Sequence, residues 1–133
     1  YRALRSEGRS ARAYVVAQGK TVVGYYCIST GAVIAKEAPS AIRRNMPNPI
    51  PVMIIGRLAV DKPYQGQGYG PAMLKDALQR ILGVSITVGA RAVMVHAIDN
   101  DAIACYAAFG FRPFPSDSRT LFLPITDIAA ALT

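Results

Sequence analysis

One histidine and two cysteines in 133 residues leave too few soft ligands for a zinc site. Cys27 and Cys105 stand apart in apolar runs, without C-x-x-C spacing, so they read as small buried hydrophobes and not as staples or ligands. No apolar stretch approaches the roughly 18 residues of a membrane span, and no basic, apolar, small-residue series marks a signal peptide. The expectation is a cytoplasmic protein with no metal and no membrane partner. Acids are scarce as well: eight Asp/Glu stand against fifteen Lys/Arg, a net charge of +7. Residues 1–50 hold eight of the bases (Arg2, Arg5, Arg9, Arg12, Lys20, Lys36, Arg43, Arg44) against Glu7 and Glu37, a balance of +6. A basic half suits an acidic partner, nucleic acid first, or simply serves solubility. A hydrophobic content of 52% with 17% charge excludes disorder, and the length fits one domain over residues 1–133 with a single core.

Glycine, by contrast, is concentrated where a strand stops and a helix begins. The segment Leu58-Ala59-Val60-Asp61-Lys62-Pro63-Tyr64-Gln65-Gly66-Gln67-Gly68-Tyr69-Gly70 ends an apolar run, alternates three glycines, and leads into a helical pattern at Pro71. Bare amides at a helix N-terminus, with the positive end of the helix dipole behind them, can hold a phosphate. A mononucleotide loop needs Lys and Ser/Thr after its last glycine, where this chain has Pro71-Ala72. A dinucleotide fingerprint needs G-x-G-x-x-G and an acid about twenty residues on. The spacing here is G-x-G-x-G, and Ala90-Arg91-Ala92 fills that window. What remains is an anion cradle of another kind, or a glycine-rich turn with no ligand.

The rest of the chain alternates between strand and helix patterns, an α/β layout. Residues 1–10 read as the tail of a helix, and 13–17 and 21–29 as a hairpin turning at Gln18-Gly19-Lys20. Residues 30–51 form a long connection with one helical turn, and 52–60 a nearly all-apolar central strand. A helix over 71–82 puts Met73, Ala77, Leu78 and Ile81 on one face. A buried strand over 92–98, a helix over 101–109 closed by Gly110, and a last strand over 120–125 complete the pattern.

The order Gln65-x-x-Gly68-x-Gly70 after a strand resembles the acyl-CoA pyrophosphate loop of the GNAT N-acetyltransferases, and a second motif sharpens the likeness. Ala102, Tyr106, Gly110 and Phe111 match the family's A-x-x-x-Y-x-x-x-G-F helix. Further stretches are similar to the GNAT toxins of bacterial toxin–antitoxin pairs, the TacT type, over nearly all of the chain. They are Gly24-Tyr25-Tyr26, Ala32-Val33, Arg43-Arg44-Asn45-Met46-Pro47-Asn48-Pro49-Ile50-Pro51-Val52-Met53, Gly56-Arg57-Leu58-Ala59-Val60-Asp61 and Thr120-Leu121-Phe122-Leu123-Pro124.

The resemblance implies a GNAT fold: a mixed, mostly antiparallel central sheet with splayed central strands and flanking helices. Acetyl-CoA would lie between the strands at 52–60 and 92–98, its pantetheine arm on backbone freed around Leu58, Ala59 and Val60. Gln65, Gly66, Gly68 and Gly70 would offer amides to its pyrophosphate, with Gln67 and Tyr69 pointing outward from the same loop. Where the family often has Asn seven residues before its tyrosine, this chain has Asp99, with Asn100 beside it as the candidate cofactor contact. Tyr106 is, by resemblance, the general acid that protonates the leaving thiolate; its other reading is a core aromatic. With no methionine at its start, the chain reads as lacking the first strand and helix that the family carries.

The resemblance also implies an acceptor and partners. Acetylation would fall on the α-amine of an aminoacyl-tRNA and block translation. A ribbon-helix-helix antitoxin would cap the toxin and carry it to promoter DNA, and the toxin would be a homodimer. Arg43, Arg44 and Arg57 are the tRNA-binding candidates, through phosphate contacts or at the acceptor end.

Two features of the residues fit that acceptor. The strand before the loop has no carboxylate until Asp61, so no general base stands in the usual place. Deprotonating a lysine amine of pKa about 10.4 at pH 7 costs about 4 kcal/mol, against about 1 for an α-amine. His96, ending a strand, reads first as a structural histidine and second as a base. The competing acceptors are a small-molecule amine or a protein N-terminus. A cationic small substrate calls for several carboxylates, and the first half supplies only Glu7 and Glu37.

Overall fold

Runs of β-branched and aromatic residues pair into one seven-stranded sheet of order β1-β2-β3-β4-β5-β7-β6 in the computed structural model, which describes residues 2–5, 11–34, 36, 38–43 and 46–132. The strands are β1 (Arg2–Arg5), β2 (Ala11–Gln18), β3 (Thr21–Val33), β4 (Ile50–Val60), β5 (Ala92–His96), β6 (Arg112–Phe114) and β7 (Asp117–Pro124). All neighbours are antiparallel except β4 and β5, which run parallel around the helix α2 (Tyr69–Val88). The helices α1 (Ser40–Arg43), α3 (Asn100–Ala108) and α4 (Ile128–Ala131) complete the chain. This is the mixed, mostly antiparallel α/β architecture expected.

Alternation along the strands separates two apolar layers. Val93, Val95 and Ala97 of β5 and its exit face a main core with Met53, Ile55, Tyr26, Leu121 and Leu123, closed by α2 and α3. Ala92 and Met94 face the other way, onto a smaller layer of Val52, Ile54, Phe114 and Phe122 covered by Ala38 and Ile42 around α1. The α2 face is as the periodicity indicates: Met73, Leu74, Ala77, Leu78 and Ile81 are fully buried. Each large side chain there contributes roughly 1.5–3 kcal/mol of burial.

Polar contacts fix how α2 sits. The Tyr26 hydroxyl donates to Asp76, which also accepts from Arg80 Nε at 2.9 Å. Arg80 lies over the Tyr14 ring at 4.4 Å, and Tyr14 stacks on Tyr26. Burial, then the hydrogen bond to Asp76, raises the Tyr26 phenol well above its ordinary range. Nearer the start of α2, Gly24 of β3 makes room. A Cβ there would stand 2.8 Å from the Ala59 carbonyl oxygen and 2.9 Å from Met73 Sδ.

Several element boundaries correct the sequence reading. Residues 2–5 form a strand on the free edge of β2, pairing Arg2 with Val15, where a helix tail was expected; ladder hydrogen bonds override the helical leaning of Arg, Ala and Leu. Residues 6–10 lie outside the described residues. β3 runs on to Val33 because β4 begins early, at Ile50, and pairs with it. α2 continues six residues past Leu82, since Gly83 keeps helical geometry and the stop is Gly89 at φ 73°. β5 ends at His96, two residues early, while β6 and α4 had no counterpart in the expectation. Both cysteines are free and half-buried.

Candidate functional site

The parallel pair β4/β5 stops short of its own strand ends, and this opens the site. Its ladder runs from Val52↔Ala92 to Ile55↔Val95, yet β4 continues to Val60. Two features part the strands. On β4, the register with β3 steps from Cys27↔Gly56 to Tyr25↔Ala59, so an extra residue in β4 forms a bulge at Arg57–Leu58 that bends the strand. On β5, the exit is held by β7 instead: Ala97 N–H donates to the Arg119 carbonyl, and Arg119 Nη1 to the Ile98 carbonyl at 2.8 Å. The expected splay is therefore present.

Beyond the bulge, Asp61 N–H bonds back to the Val23 carbonyl at 2.8 Å. Alternation then spends the Ala59 peptide groups on Tyr25 and turns those of Val60 into the gap. The Val60 carbonyl accepts from Gln65 Nε2 at 3.0 Å, which leaves its N–H open to the gap. Leu58 and Val60 pack their half-buried side chains on the main core, and Arg57 stands at the bulge.

The loop that follows is built by its polar side chains. Asp61 caps the short 3-10 turn Lys62–Tyr64, accepting from Lys62 N–H. Gln67 Nε2 donates to the Pro63 carbonyl at 3.2 Å. Gln65 and Gln67 therefore clamp the loop with their side chains, and the Gln65 amide, expected to face the pyrophosphate, instead donates to the Lys62 carbonyl at 3.2 Å, so that only the Gln67 backbone amide is left for a ligand. Tyr69 is half-buried, edge-on to Tyr64 and packed on the core, and does not point outward as expected. Gly66 and Gly68 sit at φ 78° and 87°, left-handed backbone that other residues adopt at a cost.

Gly68 caps α2 with no side-chain partner, and the first helical bond is Ala72 N–H to Gly68 O. The amides of Gly66, Gln67, Gly68, Tyr69 and Gly70 find no acceptor among the described residues. They converge at the N-terminus of a twenty-residue helix. That arrangement is suited to an anion, which the positive end of the helix dipole would favour.

α3 lies across the gap from α2. Asp99 caps it, accepting from Ala102 N–H at 2.8 Å, so the residue in the family's asparagine position has a structural task here. Asn100 is exposed at the first helical position. Tyr106 is buried on the main core with its ring against Phe111, centroids 5.6 Å apart. Its hydroxyl has no protein partner among the described residues, yet no buried polar side-chain atom there lacks one; the oxygen therefore reaches solvent. Burial, and then the neighbouring Cys105, push the Tyr106 phenol up to about 12, so it carries its proton throughout the neutral range. A protonated hydroxyl is suited to give a proton to a leaving group.

The tRNA candidates divide. Arg43 is exposed at the end of α1, on the side of the smaller layer, opposite Tyr106. Arg44 lies outside the described residues. No group of three or more metal-ligating side chains occurs among the described residues, and none of their helices is long and apolar enough to cross a membrane.

A gap between parallel strands, an amide cradle at its mouth and a protonated tyrosine on one bank are the parts of an acyl-CoA-dependent acyltransferase. The chain belongs to the acetyltransferase (GNAT) domain family, whose model matches residues 9–113. Among its relatives, it is 39% identical over 122 residues to a tRNA-acetylating toxin of Mycobacterium tuberculosis, covering 92% of this chain and 74% of that one. Among solved structures, it is similar to AtaT complexed with acetyl-methionyl-tRNAfMet, with TM-score 0.83 and 27% identity over 97% of this chain and 79% of that one. It is also similar to a tyrosine-to-phenylalanine mutant of AtaT bound to the C-terminus of the antitoxin AtaR and acetyl-CoA. There the TM-score is 0.73 and the identity 28%, over 90% and 70% of the two chains.

Proposed function

We propose that this protein is a toxin that moves the acetyl group of acetyl-CoA to the α-amine of aminoacyl-tRNA and so blocks translation. The observation that carries the donor half is the row of unpartnered amides from Gly66 to Gly70 opening on the β4/β5 gap. The pyrophosphate sits on those amides, and the pantetheine arm runs into the gap along the free Val60 N–H, past Leu58. Asn100, exposed at the start of α3, contacts the coenzyme from the far bank. Tyr106 gives its hydroxyl proton to the departing thiolate.

The acceptor enters from the opposite face of the sheet, where Arg43 sets a positive charge for tRNA phosphates. Arg44 and Arg57 are the further candidates for phosphate contacts. Similarity to a tRNA-acetylating toxin supports this choice of acceptor. We read residues 1–133 as one GNAT domain that works in the cytoplasm as a homodimer. A ribbon-helix-helix antitoxin restrains it and brings it to promoter DNA. Radiolabelled acetyl-CoA offered in parallel to charged tRNA, polyamines and peptides tests the reading. Label should enter charged tRNA alone, and label in peptides or polyamines with none in tRNA would replace it with the competing acceptor.

A further inference from the structure

The acceptor must lose a proton before it can attack, and β4 supplies no carboxylate for this; β5 and β7 together supply something else. On β7, Asp117 Oδ1 accepts from Arg119 N–H at 3.0 Å, and Asp117 Oδ2 accepts from the Thr120 hydroxyl at 2.8 Å. Thr120 is the register partner of His96, and its Oγ1 lies 3.4 Å from His96 Nδ1.

The direction of this chain follows from counting protons. The backbone amide of Arg119, and then the Thr120 hydroxyl, hold the Asp117 carboxyl below its usual range, so it is an acceptor only. A threonine hydroxyl has one proton, and here Asp117 takes it. Thr120 Oγ1 can then only accept from the ring, so Nδ1 carries hydrogen and the lone pair of neutral His96 is on Nε2.

Position gives that lone pair a use. His96 continues the Ala92, Met94 alternation, which places it on the sheet face away from Tyr106 and on the side of α1. It is exposed, and it is the first residue of β5 past the last β4 pair, Ile55↔Val95. A thioester held in the gap is thus flanked by Tyr106 on the donor side and His96 on the acceptor side.

From this geometry we infer that His96 is the general base of the transfer, held in its Nδ1–H tautomer by the positioning pair Thr120 and Asp117. The inference rests on the proposed acetylation of an α-amine. His96 Nε2 takes one proton from the acceptor ammonium and passes it to solvent. The freed lone pair bonds to the acetyl carbon, the C–S bond breaks, and the thiolate takes the Tyr106 proton. The second proton lost from nitrogen restores Tyr106. One proton is released per acetyl group moved, as conversion of an ammonium and a thioester to an amide and a thiol requires.

Because the chain has one histidine, nitrogen-detected NMR of the intact protein reads its tautomer without assignment. The Nδ1–H form is expected in the wild type and in Thr120→Ser, with loss of that preference in Thr120→Val. In acetyl transfer to charged tRNA, His96→Ala should lower kcat by about 100-fold, within the usual range for a general base, with acetyl-CoA binding unchanged and partial rescue by added imidazole. Thr120→Val should fall between His96→Ala and wild type, and Thr120→Ser should recover. An Nε2–H wild type, or a His96→Ala rate within threefold of an active wild type, would overturn the inference alone. A wild type that acetylates no charged tRNA would instead sink the functional reading, and the base with it.

Discussion

Replacing Gly68 by alanine separates what the cradle costs the fold from what it does for a ligand. Gly68 sits at φ 87°, and a Cβ there would meet nothing within 4 Å, so the folded protein suffers no clash. The left-handed backbone should cost alanine about 1–2 kcal/mol. About 0.4–1 kcal/mol returns through a stiffer unfolded chain. The net loss, near 1 kcal/mol, should lower Tm by about 4 °C for a chain of this length.

Acetyl-CoA at 100 times its Kd should stabilise the wild type by about 2.7 kcal/mol. In Gly68→Ala the new methyl stands where the pyrophosphate approaches the backbone. A tenfold weaker Kd would cut the stabilisation to about 1.4 kcal/mol at the same concentration. Thermal melts with and without acetyl-CoA, joined to calorimetric titration, read both quantities. Gly83→Ala is the control: Gly83 lies inside α2 with open space around it, so alanine should raise stability by up to about 1 kcal/mol and leave the ligand shift alone. An undiminished ligand shift in Gly68→Ala would refute the placement of the anion, and an unchanged apo Tm would refute the conformational reasoning.

Gly24→Val should destabilise by about 1–3 kcal/mol in chemical denaturation, because its Cβ meets the Ala59 carbonyl, which is fixed by the β3/β4 ladder. The Tyr106 phenol, raised from an unfolded value near 10 to about 12, adds stability that is fully present below pH 10 and lost as pH climbs toward 12. Denaturation midpoints of wild type should therefore fall relative to Tyr106→Phe above pH 10, and parallel curves would contradict this. Arg43→Glu should raise KM for charged tRNA and flatten its salt dependence, each lost phosphate contact removing about 0.7–0.9 from the slope. Acetyl-CoA affinity should not change.

What could be read ahead of the structure was whatever local chemistry alone determines. Gly66 and Gly68 mark a cradle because few other residues suit their left-handed backbone, and the apolar spacing of Met73, Ala77, Leu78 and Ile81 marks the helix behind it. What escaped depends on partners distant in sequence. The β4 bulge is a matter of register against β3. The 2–5 strand exists because β2 had a free edge, and β6 is three residues, one of them proline, held by β7. The clamps made by Gln65 and Gln67 depend on a 3-10 turn between strand and loop. The Thr120 and Asp117 partners of His96 became visible only once β5 and β7 were aligned, although His96 itself stood out as the single histidine.

The most direct measurement is of the product itself. Charged tRNA incubated with acetyl-CoA and the protein is digested to its terminal nucleoside, and the fragment is analysed by mass spectrometry. An acetyl group on the α-nitrogen of the aminoacyl-adenosine is expected with the wild type, and unmodified fragment with Tyr106→Phe. Acetylation of a ribose hydroxyl, or a Tyr106→Phe enzyme that matches the wild type, would contradict the account.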